Sequence, residues 1–80
     1  MVVDIREERR VAGQQRWQVL LDRTEFDVGD VGTLEAVARS GSRLRVPVLG
    51  AIADGEEIWL QVEKPLGAGT EVTGRVETKR

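Results

Sequence analysis

The sequence contains no cysteine, no histidine and no tyrosine among its 80 residues. Without cysteine no disulfide can staple the fold, and without cysteine or histidine no zinc site of the usual ligand set can form. Without histidine the commonest general base near neutral pH is missing, so Ser-His and Cys-His nucleophile pairs cannot be built within the chain. The hydroxyls are Ser40, Ser42 and five threonines, with no evident activating base beside them. Aromatic rings are scarce, being confined to Trp17, Phe26 and Trp59. No apolar run approaches the ~20 residues that a membrane-spanning helix needs. The opening Met1-Val2-Val3-Asp4-Ile5-Arg6 has no signal-peptide core. Together these absences lead to the expectation of a cytoplasmic, non-enzymatic chain with no catalytic residue, no metal, no cofactor and no membrane association.

What is present describes a small globular domain. Hydrophobic residues make up 40% and charged residues 32%, a balance unlike that of disordered chains. The 12 basic and 14 acidic residues leave a net charge of -2. The length fits one domain over residues 1–80. A domain of this size buries only roughly 60% of the surface its unfolded chain exposes, so its stability is marginal. The acidic residues Asp22, Glu25, Asp27 and Asp30 fall in a connecting segment, do not match a calcium-loop spacing and read as a solvated loop.

Between the glycines lie short stretches with period-two alternation, the mark of half-buried strands. Arg16 to Asp22 places Trp17, Val19 and Leu21 on one face. Arg43 to Val48 places Leu44, Val46 and Val48 inward, with Arg43 and Arg45 outward. Glu57 to Glu63 turns Ile58, Leu60 and Val62 inward and Trp59 to the opposite face. Glu71 to Thr78 turns Val72 and Val76 inward, and Val2 to Ile5 opens a further strand. Ala53-Asp54-Gly55-Glu56 predicts a turn, because Asp-Gly tolerates positive φ. Pro47 lacks an N–H, so its strand is an edge or bends there. Residues 33–41 admit two readings: a short helix capped by Thr33 and stopped by Gly41, or a strand with Leu34, Ala36 and Ala38 inward. Strand is preferred, because a helix this short is weak alone and its neighbours are strand-like. The expected fold is all-β, a small antiparallel barrel or strongly bent sheet of five to six strands.

Two groups of arginines are candidates for ligand binding. Arg6, Arg9 and Arg10 lie near the start, interleaved with Glu7 and Glu8, and Arg39, Arg43 and Arg45 surround Gly41. Arginine forks pair with phosphate and stack on flat bases, so two such groups brought together could hold an anionic nucleotide. The plainer alternative is a solvated surface with local Arg–Glu pairs. Trp59, facing away from Ile58 and Leu60, is a candidate partner contact, since an outward tryptophan is a common interface hot spot. The alternative is that it covers the other mouth of the barrel or packs under the N-terminal segment. Binding of single-stranded nucleic acid is disfavoured: the net charge is negative, and Glu57 and Glu63 flank the one tryptophan free to stack.

The order of these parts resembles a PilZ domain. Arg6-Glu7-Glu8-Arg9-Arg10 fits the family's Arg-x-x-x-Arg motif through Arg6 and Arg10. Ala36-Val37-Ala38-Arg39-Ser40-Gly41 stands where its Asp-x-Ser-x-x-Gly motif belongs: Gly41 matches, while Ala36 and Ala38 replace the aspartate and the serine. The resemblance implies a small antiparallel barrel that binds cyclic di-GMP, with arginines gripping phosphates and stacking on guanines. The ligand site would be Arg6, Arg10, Arg39, Gly41 and Arg43. Losing two polar groups removes hydrogen bonds worth about 0.5–1.5 kcal/mol each. The expected function is therefore that of an adaptor or regulatory module binding another protein, through Trp59 or a strand edge, with cyclic dinucleotide binding at most residual. A nucleic-acid-binding barrel and a self-associating structural barrel, a homo-oligomer, are the alternatives.

Overall fold

The alternating stretches all become strands in the computed structural model, which describes residues 1–8, 13–38 and 40–78. They are β1 (Val2–Glu7), β2 (Trp17–Leu21), β3 (Gly32–Val37), β4 (Arg43–Asp54), β5 (Glu57–Val62) and β6 (Glu71–Val76). All pair antiparallel in one sheet of order β1-β2-β5-β4-β3-β6. The fold is all-β, and residues 32–37 form strand rather than helix. No helix long and apolar enough to cross a membrane occurs among the described residues.

Register explains which side chains go inward. Val19, Leu34, Val46, Leu60 and Val62 are fully or almost fully buried and form the centre of the core. A bulge between Val48 and Gly50 inserts one residue into β4, so Val48 and Ala51 both face the core while Leu49 is left exposed. A second irregularity between Val2 and Asp4 does the same for Val2 and Ile5. β4 pairs only with β3 up to Pro47 and joins β5 from Val48 onward. The missing N–H of Pro47 thus falls where β4 has a partner on one side only, and the bulge beyond it bends the strand.

The sheet curls toward closure without completing it. No ladder joins β1 to β6; two backbone bonds tie their ends together, from Val2 N–H to the Thr70 carbonyl (2.9 Å) and from Gly69 N–H to the Val2 carbonyl (2.7 Å). Of the two expected forms, barrel or strongly bent sheet, the pairing gives the open sheet. One end is plugged by Phe26 from the β2–β3 loop, 3% exposed and seated against Gly32, Gly74 and Leu34. That loop is ordered by its own acids. Asp30 is 3% exposed and accepts from Asp27 N–H at 2.9 Å, so one member of the acidic group is structural rather than solvated. The Met1 ammonium donates to Asp22 at 2.8 Å, and this hydrogen bond holds the Asp22 carboxyl below its ordinary range. The Asp54-Gly55 turn forms as predicted, with Gly55 at φ +63°.

Candidate functional site

The sequence-predicted residues divide between two faces of the curled sheet. Arg6 lies on the outer face of β1, beside Gln18 of β2. Its Nε donates to Gln18 Oε1 at 2.6 Å, its Nη1 donates to Asp54 Oδ2 at 2.8 Å, and its guanidinium sits 4.0 Å from the centre of the Trp59 ring. Trp59 does face away from Ile58 and Leu60, but it is only 4% exposed, with the Arg6 guanidinium over its ring. It offers no free platform for a partner or a base. Beside it, Gln61 donates to the Glu8 carboxylate at 3.0 Å, in the space left by the missing side chain of Gly50. The cluster of Arg6, Gln18, Asp54, Trp59, Gln61 and Glu8 is thus a polar layer outside the core. The Arg6–Asp54 ion pair is half exposed and contributes little by itself; the stacking on tryptophan is worth about 0.5–2 kcal/mol.

A direct expectation follows. In a Trp17→Phe background, Arg6→Ala should move the Trp59 emission to longer wavelength and cost about 1–2 kcal/mol. Unchanged emission would mean that the guanidinium is not the cover of that ring.

Arg43 stands elsewhere. It projects from the start of β4 toward Glu35 of β3, 3.3 Å away, on the outer face shared by β4, β3 and β6. Arg43 lines a surface depression with Arg45 and Arg75 in which Arg6 has no part. Arg6 and Arg43 do not share one concavity: each is paired with a carboxylate on its own face, as in the plainer of the two sequence readings. Arg10 and Arg39, the other two arginines of the expected ligand site, lie outside the described residues. Gly41 is at φ +87° in the β3–β4 hairpin, where its N–H donates to the Ala38 carbonyl at 2.9 Å. A left-handed residue is what this tight hairpin requires, which accounts for the glycine without any ligand.

Inside that hairpin the curled sheet opens into a hollow of about 550 Å³. Its walls are Ala36, Val37 and Ala38, Leu44, and Leu66 and Ala68 of the β5–β6 loop, with Thr70 and Glu71 at the rim. The volume is within the usual range of ligand sites. Leu44 and Val37 are 43% and 40% exposed. The alternation placed Leu44 inward with Val46 and Val48; it shares their side of β4 but lies at the rim, where nothing described covers it. Sequence reasoning did not find this hollow, because Leu66 and Ala68 come from a loop with no periodicity to read. Ala36 and Ala38, the two departures from the family motif, are both in its wall.

No three histidine, cysteine, aspartate or glutamate side chains among the described residues are placed to hold a metal. The fold is a small all-β module with an opening beside the β3–β4 hairpin, where Leu44 and the alanines meet Thr70 and Glu71. Comparison with protein-family models, with curated proteins and with solved structures found no match.

Proposed function

We propose that this chain is a non-enzymatic binding module, a PilZ-like adaptor or regulatory domain whose contact surface is the mouth beside the β3–β4 hairpin. The observation that carries the reading is the exposure of Leu44 at the rim of a hollow walled by alanines and Leu66. Exposed apolar side chains around a concavity favour an apolar protein segment. They do not suit a cyclic dinucleotide, whose phosphates need charged forks. In the resemblance, positions 36 and 38 would carry a carboxylate and a hydroxyl; alanine at both makes the wall apolar. Arg6, which would grip a phosphate, is held by Gln18, Asp54 and Trp59.

The test is affinity capture from the native host with wild type and Leu44→Glu. The wild type should retain a partner that the variant loses by tenfold or more, about 1.4 kcal/mol. Because Leu44 is a rim residue, the variant should melt like wild type to within about 0.5 kcal/mol. Equal capture by both proteins rejects the mouth as the contact. Thermal melts with cyclic di-GMP provide the second arm. A ligand at 100 times its dissociation constant adds about 2.7 kcal/mol of stability. A clear rise in melting temperature at concentrations well above micromolar would replace the adaptor reading by that of a nucleotide sensor.

A further inference from the structure

The two ends of the sheet are unequal. The β1 edge is blunted by its irregularity at Val2/Asp4 and by charged residues, as exposed edges usually are. The β6 edge is unbroken: its register with β3 runs without a shift from Glu71 to Val76, and it carries no proline or lysine, its charges being Glu71 and Arg75. Glu77 N–H donates to the Val31 carbonyl in line with that ladder, so the odd-numbered residues of β6 turn their backbone groups toward β3. Val72, Gly74 and Val76 turn theirs the other way. Apart from the bond accepted by Thr70 just before the strand, no described backbone group pairs with that edge. A space of about 400 Å³ separates Val72, Thr73 and Gly74 from the loop at Leu21 to Glu25.

We propose that the β6 edge pairs antiparallel with the β6 edge of a second copy of this chain, about a twofold axis at Thr73. The occupant is identified by charge. The outward side chains of β6 are Glu71, Thr73 and Arg75, all exposed. Neither Glu71 nor Arg75 belongs to an ion pair among the described residues. An antiparallel copy centred on Thr73 sets Glu71 opposite Arg75 of the second copy, Arg75 opposite its Glu71, and threonine opposite threonine. Both kinds of cross-strand pair are favourable. The same register brings Val72 opposite Gly74 of the other copy, and these residues have free N–H and C=O groups, so the ladder bonds form between them. The pairing ends at Glu71 and Arg75, because Val76 would come opposite Thr70, whose carbonyl already accepts from Val2. Glycine there leaves room for the facing valine. Centring on Gly74 would set Glu71 against Glu77, and centring one residue further would set Arg75 against itself, so charge selects the Thr73 register among these neighbours.

The test is a symmetric charge swap followed by sedimentation equilibrium over a concentration series. The wild type should show a monomer–dimer equilibrium. Glu71→Arg or Arg75→Glu alone converts both attractive pairs into repulsive ones and should weaken the dimer roughly thirtyfold. The double variant Glu71→Arg/Arg75→Glu restores opposite charges in the same register and should recover most of the wild-type association. Both side chains are exposed, so circular dichroism melts of all variants should be alike. A wild type that stays monomeric at about 1 mM, beyond the range of even weak specific pairs, overturns the proposal. So does a dimer that ignores both single changes, or a double variant no better than the singles.

Discussion

Gly32→Ala should leave little folded protein. A Cβ at position 32 would overlap the backbone carbonyl oxygen of Arg75 in β6 and press on the Phe26 ring at 3.0 Å. A side chain in the way can rotate; a carbonyl in a ladder cannot move without taking its strand along. Relief requires β6 to part from β3, which breaks their pairing from Gly32–Val76 to Val37–Glu71 and uncovers Val72 and Val76. Substitutions of this kind belong to the exceptional range above about 4 kcal/mol. A domain of this length has roughly 4–12 kcal/mol in total. Circular dichroism and amide dispersion should show a largely unfolded chain. A cooperative melt like that of wild type would mean that β6 does not pack on β3 at Gly32.

Phe26→Ala should have the next largest effect. The ring is the plug at one end of the core, 3% exposed and packed where Gly32 and Gly74 present bare backbone. Removing a buried phenylalanine costs about 3–5 kcal/mol, through lost burial and the cavity left behind. At 4–8 °C per kcal/mol for a domain of this size, melting should fall by roughly 12–40 °C. Phe26 also explains Gly74, where a Cβ would meet its ring at 3.0 Å. Gly74→Ala should therefore be costly in the wild type and much less so with Phe26→Ala, a positive coupling that a double-mutant cycle measures. Additive effects would place the ring elsewhere.

Much of this fold is legible in the alternation. Trp17, Val19 and Leu21, then Leu60 and Val62, then Val46 and Val48 are packed as period two requires. The two irregularities are not legible, because a bulge breaks the period it would be read from: after Val48 the pattern points to Gly50 and Ile52, and the inserted residue hands the core position to Ala51. Leu44 shows the same limit at a strand end, where facing inward does not mean being covered. Of the candidate site, the alternation shows which face Trp59 takes, but nothing local shows that Arg6 lies over it, for the two are 53 positions apart and meet only through β2. Gln18 and Gln61 are isolated polar residues in the sequence. They become neighbours only when β2 and β5 pair. Phe26 lies within an acidic loop and carries no periodic signal, yet it closes one end of the core.

The proposed contact with a partner is at the mouth beside Leu44. Photo-crosslinking in the native host tests it most directly, with a photoreactive residue at position 44 and, separately, at position 28. Val28 is the apt comparison, being an exposed apolar residue in the β2–β3 loop, outside the mouth. The account predicts a discrete protein adduct from position 44 that is absent from position 28. Identical patterns from both positions, or an adduct from position 28 alone, would contradict it.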